Sequence, residues 1–201
     1  MKKLLIAAMC AAVFTCGAEE TQLVDEALPP AEGWSPIGFA ILPVQYLQFP
    51  GDGSDVNGLR IALTSGHNRE VNGLDFAAVW GWADGEINGL SCSGLGRISG
   101  GAAFGVHLTS AVNYSSGWVT GAQLATVNSS YGISGMQVGL TNFASEGNGI
   151  QLGLFNMAET FRGVQLGLVN IAMDYSGVQI GLGNIIGESP LTACMFFNAW
   201  F

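Results

Sequence analysis

Four successive segments read GMQVGLTNFA (135–144), GIQLGLFNMA (149–158), GVQLGLVNIA (163–172) and GVQIGLGNII (177–186). How they are read decides the fold. Each alternates with period two, the mark of a strand whose side chains point in turn to opposite faces. In 163–172, Val164, Leu166 and Leu168 share one face, while Gly163, Gln165, Gly167 and Val169 share the other. The leading glycine recurs upstream at Gly121, Gly105, Gly89, Gly73 and Gly58, in steps of 14, 16, 16, 16 and 15. Earlier units such as GLDFAAVWGW (73–82) and GVHLTSAVNY (105–114) are looser copies. The third residue of each unit forms a polar-leaning series: Arg60, Asp75, Ser91, His107, Gln123, Gln137, Gln151, Gln165 and Gln179. The opposing series carries no charge. Segment 37–49, interrupted by Pro43, reads as a further strand, so an all-β domain over 37–201 is expected, with about 10–12 strands.

Two architectures fit this pattern. One is an antiparallel meander closed into a barrel, and the other is a β-solenoid with coils of 14–16 residues. Reach favours the meander. A strand of nine or ten residues spans about 30 Å, and the four or five residues left in a unit cover at most about 17 Å. A solenoid is possible only if the strand bends, for example at Gly167. Asn-Gly at 57–58, 72–73, 88–89 and 148–149 suits the positive φ of tight hairpins, and polar stretches 83–86, 145–148 and 159–162 read as turns. Strand length and aromatics near those turns (Trp82, Tyr114, Trp118, Tyr131, Phe161, Tyr175) suit a membrane barrel with an interfacial girdle. The opposing observation is Asn128, Asn142, Asn156, Asn170 and Asn184, each seven places after its glycine. Parallel stacking would make them an asparagine ladder. The barrel is the leading expectation, with the Gln/Gly face toward a lumen and the Val/Leu face in lipid. On it, Arg should be tolerated at Gln165 and cost about 2–4 kcal/mol at Leu168 near a bilayer midplane.

The ends of the chain point to export. Lys2 and Lys3 precede the apolar run 4–14, which is too short to span a membrane. Residues 1–18 read as a signal peptide cleaved after Ala18. Lipidation of Cys16 is the rival reading. Residues 19–36, with five acids and three prolines, read as a flexible acidic leader. Removing the signal leaves Arg60, Arg69, Arg97 and Arg162 against 15 acids, which excludes nucleic-acid binding through phosphates. Thirty glycines with 49% apolar residues exclude a disordered chain.

The units resemble those of uncharacterised bacterial surface-repeat proteins, G-hydrophobic-Q-hydrophobic-G-L-x-N-hydrophobic-A, most specifically over 135–186. Pro190, Phe196, Phe197 and Asn198 match the ending such proteins often have. The resemblance implies a surface or envelope location and no known activity. The alternation of Ala193, Met195, Phe197, Ala199 and Phe201 resembles the last strand of outer-membrane barrels, which implies contact with the assembly machinery through Phe201.

Motifs with chemical potential are few. Asp75, Ser91 and His107 invite a triad reading, yet no nucleophile elbow or oxyanion hole is visible, so a hydrolase is only a remote alternative. Gly181, Gly183 and Gly187 lack dinucleotide-loop spacing. Asp52, Ser54, Asp55 and Asn57 read as a polar turn before a calcium loop. Asn113-Tyr-Ser and Asn128-Ser-Ser match glycosylation sequons without a eukaryotic context. No cofactor, metal or catalytic residue is expected. Cys92 and Cys194 fall on opposite faces, so no disulfide is expected. The candidate ligand- or lumen-facing residues are Arg60, Asp75, His107, Gln123, Gln137, Gln151, Gln165 and Gln179. The expected function is that of a non-enzymatic, exported envelope protein. The lead version is a small outer-membrane barrel of structural or narrow-pore type with membrane lipid around it. The alternative is a secreted or surface-tethered repeat module that binds a partner or polymer.

Overall fold

The structure, a computed structural model, describes residues 30–41, 47–187 and 193–201. The expected signal, Cys16, most of the acidic leader, Pro43 and Pro190 lie outside them. The described strands are β1 (Trp34–Ala40), β2 (Gln48–Phe49), β3 (Asp55–Ala62), β4 (Ser65–Asn68), β5 (Val71–Ala77), β6 (Trp80–Ala83), β7 (Ile87–Ser93), β8 (Gly96–Ser99), β9 (Ala103–Thr109), β10 (Val112–Leu124), β11 (Val127–Val138), β12 (Thr141–Leu152), β13 (Phe155–Leu166), β14 (Val169–Ile186) and β15 (Ala193–Trp200).

The chain is a β-solenoid of about eight turns, and the barrel expectation does not hold. Successive units pair parallel and in register: Gly149 stands beside Gly163, Gln151 beside Gln165 and Asn142 beside Asn156. An antiparallel meander would have run alternate units in opposite directions. The reach argument fails because no unit holds ten straight residues. The chain bends at Gly153-Leu154 and Gly167-Leu168, the middle-glycine positions. The bend divides a unit into two short arms, visible as separate strands in the early coils. There β3, β5, β7 and β9 stack along one side, and β4, β6 and β8 along another. From β10 onward one long strand carries both arms around a corner, pairing with β8 through its first part and β9 through its second. Stretches 145–148 and 159–162, expected as turns, lie inside β12 and β13, where their polar side chains face outward at that corner.

The register glycines serve corners within the stack and not hairpins. Gly58, Gly73, Gly89, Gly105, Gly121, Gly135, Gly149, Gly163 and Gly177 all have φ between 112° and 152°, a range that side-chain-bearing residues rarely adopt. From Gly73 onward each also lies against the backbone of the glycine one coil earlier.

Both ends of the stack are closed by antiparallel strands, β2 on β1 and β15 on β14. Capping the terminal coils blunts edges that would otherwise template further strand addition. The strand at Trp34–Ala40 pairs parallel with β3 from Trp34 onward, so residues 34–36 of the expected leader belong to the β-domain.

Candidate functional site

The polar series lies in the sealed interior of the coils. Gln123, Gln137, Gln151, Gln165 and Gln179 have no solvent exposure. They form a ladder in which each Nε2 donates to the preceding coil: Gln179 to Gln165 at 2.7 Å, Gln165 to Gln151 at 2.7 Å, Gln151 to Gln137 at 2.8 Å and Gln137 to Gln123 at 2.9 Å. Neither a water-filled lumen nor an exposed ligand ladder exists for them. The asparagines form a second ladder of opposite polarity, from Asn113 through Asn128, Asn142, Asn156 and Asn170 to Asn184, with spacings of 2.8–3.1 Å. Each Nδ2 from Asn128 to Asn170 also donates to the carbonyl ten residues on, just before the next bend. Two ladders running in opposite senses offset one another's amide dipoles. Paired amides allow a polar interior that would otherwise be costly. Small and apolar side chains fill the remainder: Ala144, Ala158 and Ala172 in a column, with Phe161 stacked on Tyr175 at 6.2 Å.

The same interior holds charge in the early coils. Arg60 binds Asp75 bidentately, Nε to Oδ1 at 2.7 Å and Nη2 to Oδ2 at 2.9 Å, with both side chains 1% exposed. Arg60 Nη1 also donates to Asn68 and to the Trp82 carbonyl, and the Ser91 hydroxyl donates to Asp75 at 2.8 Å. His107 stands beside Ser91 in the next coil. The column thus brings Asp75, Ser91 and His107 together, but Ser91 and His107 are fully buried and Asp75 nearly so. The Asp75 carboxylate is committed to Arg60, and no substrate can reach the group. Removing Asp75 would leave a buried guanidinium unpaired, so its role is structural.

Two interior residues stand apart from these networks. Arg97 occupies the ladder position one coil below Asn113 and is fully buried. Burial lowers its guanidinium to about 9, against the attraction of Asp75, so it stays charged at neutral pH. The sequence hid this position because the 16-residue coils put the ladder residue eight places after the glycine, as at Arg97 and Asn113, whereas the 14-residue coils put it at seven. Burial, and then the Arg97 charge, push the His107 imidazole down to about 2. The unfolded chain takes up a proton near pH 6.5 and the folded one does not, so stability is full above that pH and lost as the pH falls toward 2. Between pH 7 and pH 5 the loss should be about 2 kcal/mol. His107→Gln, which continues the glutamine ladder and gives Gln123 Nε2 an acceptor, should flatten it. Urea unfolding at the two pH values checks this.

The exterior is apolar. Leu140, Leu154, Leu168 and Leu182 at the bends are 42–54% exposed. Leu74, Ile150 and Ile180 project from one side, and Trp82, Tyr114 and Phe155 from the other. An open groove of about 970 Å³ crosses six coils between Ile61 and Leu140, lined mainly by apolar side chains such as Phe76, Leu108 and Val138. Charge gathers at the opposite edge of the coil, where Asp84, Glu86, Glu146, Glu159, Arg162 and Asp174 lie. The expected aromatic girdle does not form, because Phe161 and Tyr175 are core residues. Phe201 follows the capping strand and is 89% exposed.

Cys92 and Cys194 both carry free thiols. They lie seven strand positions apart in the sheet order, roughly 34 Å at about 4.8 Å per strand, far beyond disulfide reach. Asp55 is engaged by Arg69 at 2.8 Å and Asn57 by Asn72. Among the described residues no cluster of His, Cys, Asp and Glu could hold a metal ion.

Comparison with protein-family models, curated proteins and solved structures finds no match. Fold and surface together define a β-solenoid with a ladder-filled polar interior and an apolar outer wall.

Proposed function

We propose that this chain is a non-catalytic module of a bacterial envelope that lies on a membrane with its apolar wall against lipid acyl chains and its charged edge in water. The observation that carries the reading is the extent of the apolar surface. It covers both sides of the coil and the Leu140–Leu154–Leu168–Leu182 row between them, and large exposed apolar surfaces mark contact sites. A protein partner or a second copy seated on one side leaves the other side and the bend row in water. A lipid phase covers all three together, as it does for amphipathic elements lying in an interface. Backbone pairing within the stack is also what an apolar phase demands. The signal-like residues 1–18 and the resemblance to surface-repeat proteins support export. The chain's net charge of −9 makes zwitterionic lipid the better partner than anionic lipid.

Flotation with phosphatidylcholine vesicles tests this. The wild-type chain should float, and a Leu140→Ser/Leu154→Ser/Leu168→Ser variant with an unchanged far-ultraviolet spectrum should stay at the bottom. A wild-type chain that remains in the aqueous fraction, as monomer or dimer, overturns the reading, as does a variant that floats equally well.

A further inference from the structure

We propose that the interior of the coils at Arg97 and His107 encloses a small inorganic anion of the halide class. Both amide ladders stop at this level. Gln123 Nε2, which points down its ladder, finds His107 where the next glutamine would be, and it has no acceptor. Asn113 begins the other ladder beside Arg97. Arg97 Nε, Nη1 and Nη2, both ring nitrogens of His107, and the hydroxyls of Ser93 and Thr109 likewise have no partner. The fold places these groups together. Gly81 lies directly below Arg97 in register, and a Cβ there would stand 2.9 Å from Ser93 Oγ and 3.2 Å from Asp75 Oδ2. The column Gly81–Arg97–Asn113 therefore faces the column of Ser93 and Thr109 and that of Asp75, Ser91 and His107 across the coil.

The chemistry selects an anion. Among the unpartnered atoms at this level Asn113 Oδ1 and one ring nitrogen of the neutral His107 are acceptors, whereas the three Arg97 nitrogens and Gln123 Nε2 donate and the two hydroxyls and the other His107 nitrogen can donate. Among the described residues the buried cations are Arg60 and Arg97, and Asp75 answers Arg60 bidentately, so one buried positive charge is left over. An unpaired charge in such a place is strongly unfavourable, and an unpartnered buried donor adds to the penalty. A monovalent anion removes both. A metal cation would add to the surplus. A water molecule would accept hydrogen bonds but leave the charge unanswered. Because Arg97 and His107 are fully buried, the anion is captured as the coils close.

The test is refolding of the chain in sodium bromide or sodium gluconate at equal ionic strength. Specific capture predicts a urea midpoint that is higher in bromide and rises with its concentration, although weakly hydrated bromide ordinarily weakens folding relative to excluded salts. Crystals grown in bromide should show an anomalous peak within hydrogen-bond distance of the Arg97 guanidinium, and Arg97→Met should abolish the bromide dependence. If Arg97→Met does not fold, the wild-type anomalous map decides. Equal midpoints in the two salts, or a water molecule at the site in bromide crystals, overturn the proposal.

Discussion

Gly163→Ala should destabilise the chain by at least about 3 kcal/mol, while Gly183→Ala should change stability by no more than about 0.5 kcal/mol. Gly163 has φ 134°, where a Cβ strains the backbone of any L-residue. That Cβ would also overlap the carbonyl oxygen of Gly149 in the neighbouring coil. Backbone cannot swing aside as a side chain can, so the two coils must separate, and with them the flanking ladder bonds. Gly183 has nothing within 4 Å of its would-be Cβ and no positive φ. There alanine only narrows the unfolded ensemble. Urea midpoints read by far-ultraviolet circular dichroism check the pair, and equal midpoints would show that the glycine column does not set the spacing between coils.

Gln165→Arg should prevent stable folding, with a loss of more than about 4 kcal/mol, and Leu168→Arg should cost less than about 1 kcal/mol in water. Gln165 is fully buried and holds two ladder bonds at 2.7 Å, to Gln151 and from Gln179. Arginine there strands both partners and adds an unpaired interior charge beside aligned amides. Leu168 is 46% exposed at a bend, where a long cationic side chain can extend into solvent. This order reverses what a water-filled barrel would give. Soluble yield and thermal unfolding of the two variants decide it. Leu168→Arg should in addition weaken vesicle flotation.

The repeat, its period and the two-faced strand were legible in the linear sequence. The positions of Gly135 to Gly177 and the alternation around Gln165 state them directly. So was the separation of a glutamine face from an aliphatic face, but not which of the two a stacked coil buries: the structure encloses Gln165 and leaves Leu168 half exposed. The asparagine spacing even pointed to parallel stacking. What the linear pattern could not settle was whether each unit is one straight strand or two arms. A period-two alternation continues through a bend, so Gly167 looks like any small residue until its neighbours in the stack are known. That one bend converts a 30 Å strand into half a coil and a barrel lumen into a filled interior. Tertiary structure alone placed Arg97. Its position is defined by Gly81 and Asn113 in adjacent coils, 16 residues away on each side, and the 16-residue coils shift it by one place relative to the later ladder. The sequence by itself determined a repeating all-β chain with uncharged aliphatic rows, because periodicity is local. Closure, burial and the pairing of charges were decided by the tertiary structure, because they depend on which distant residues share a level of the stack.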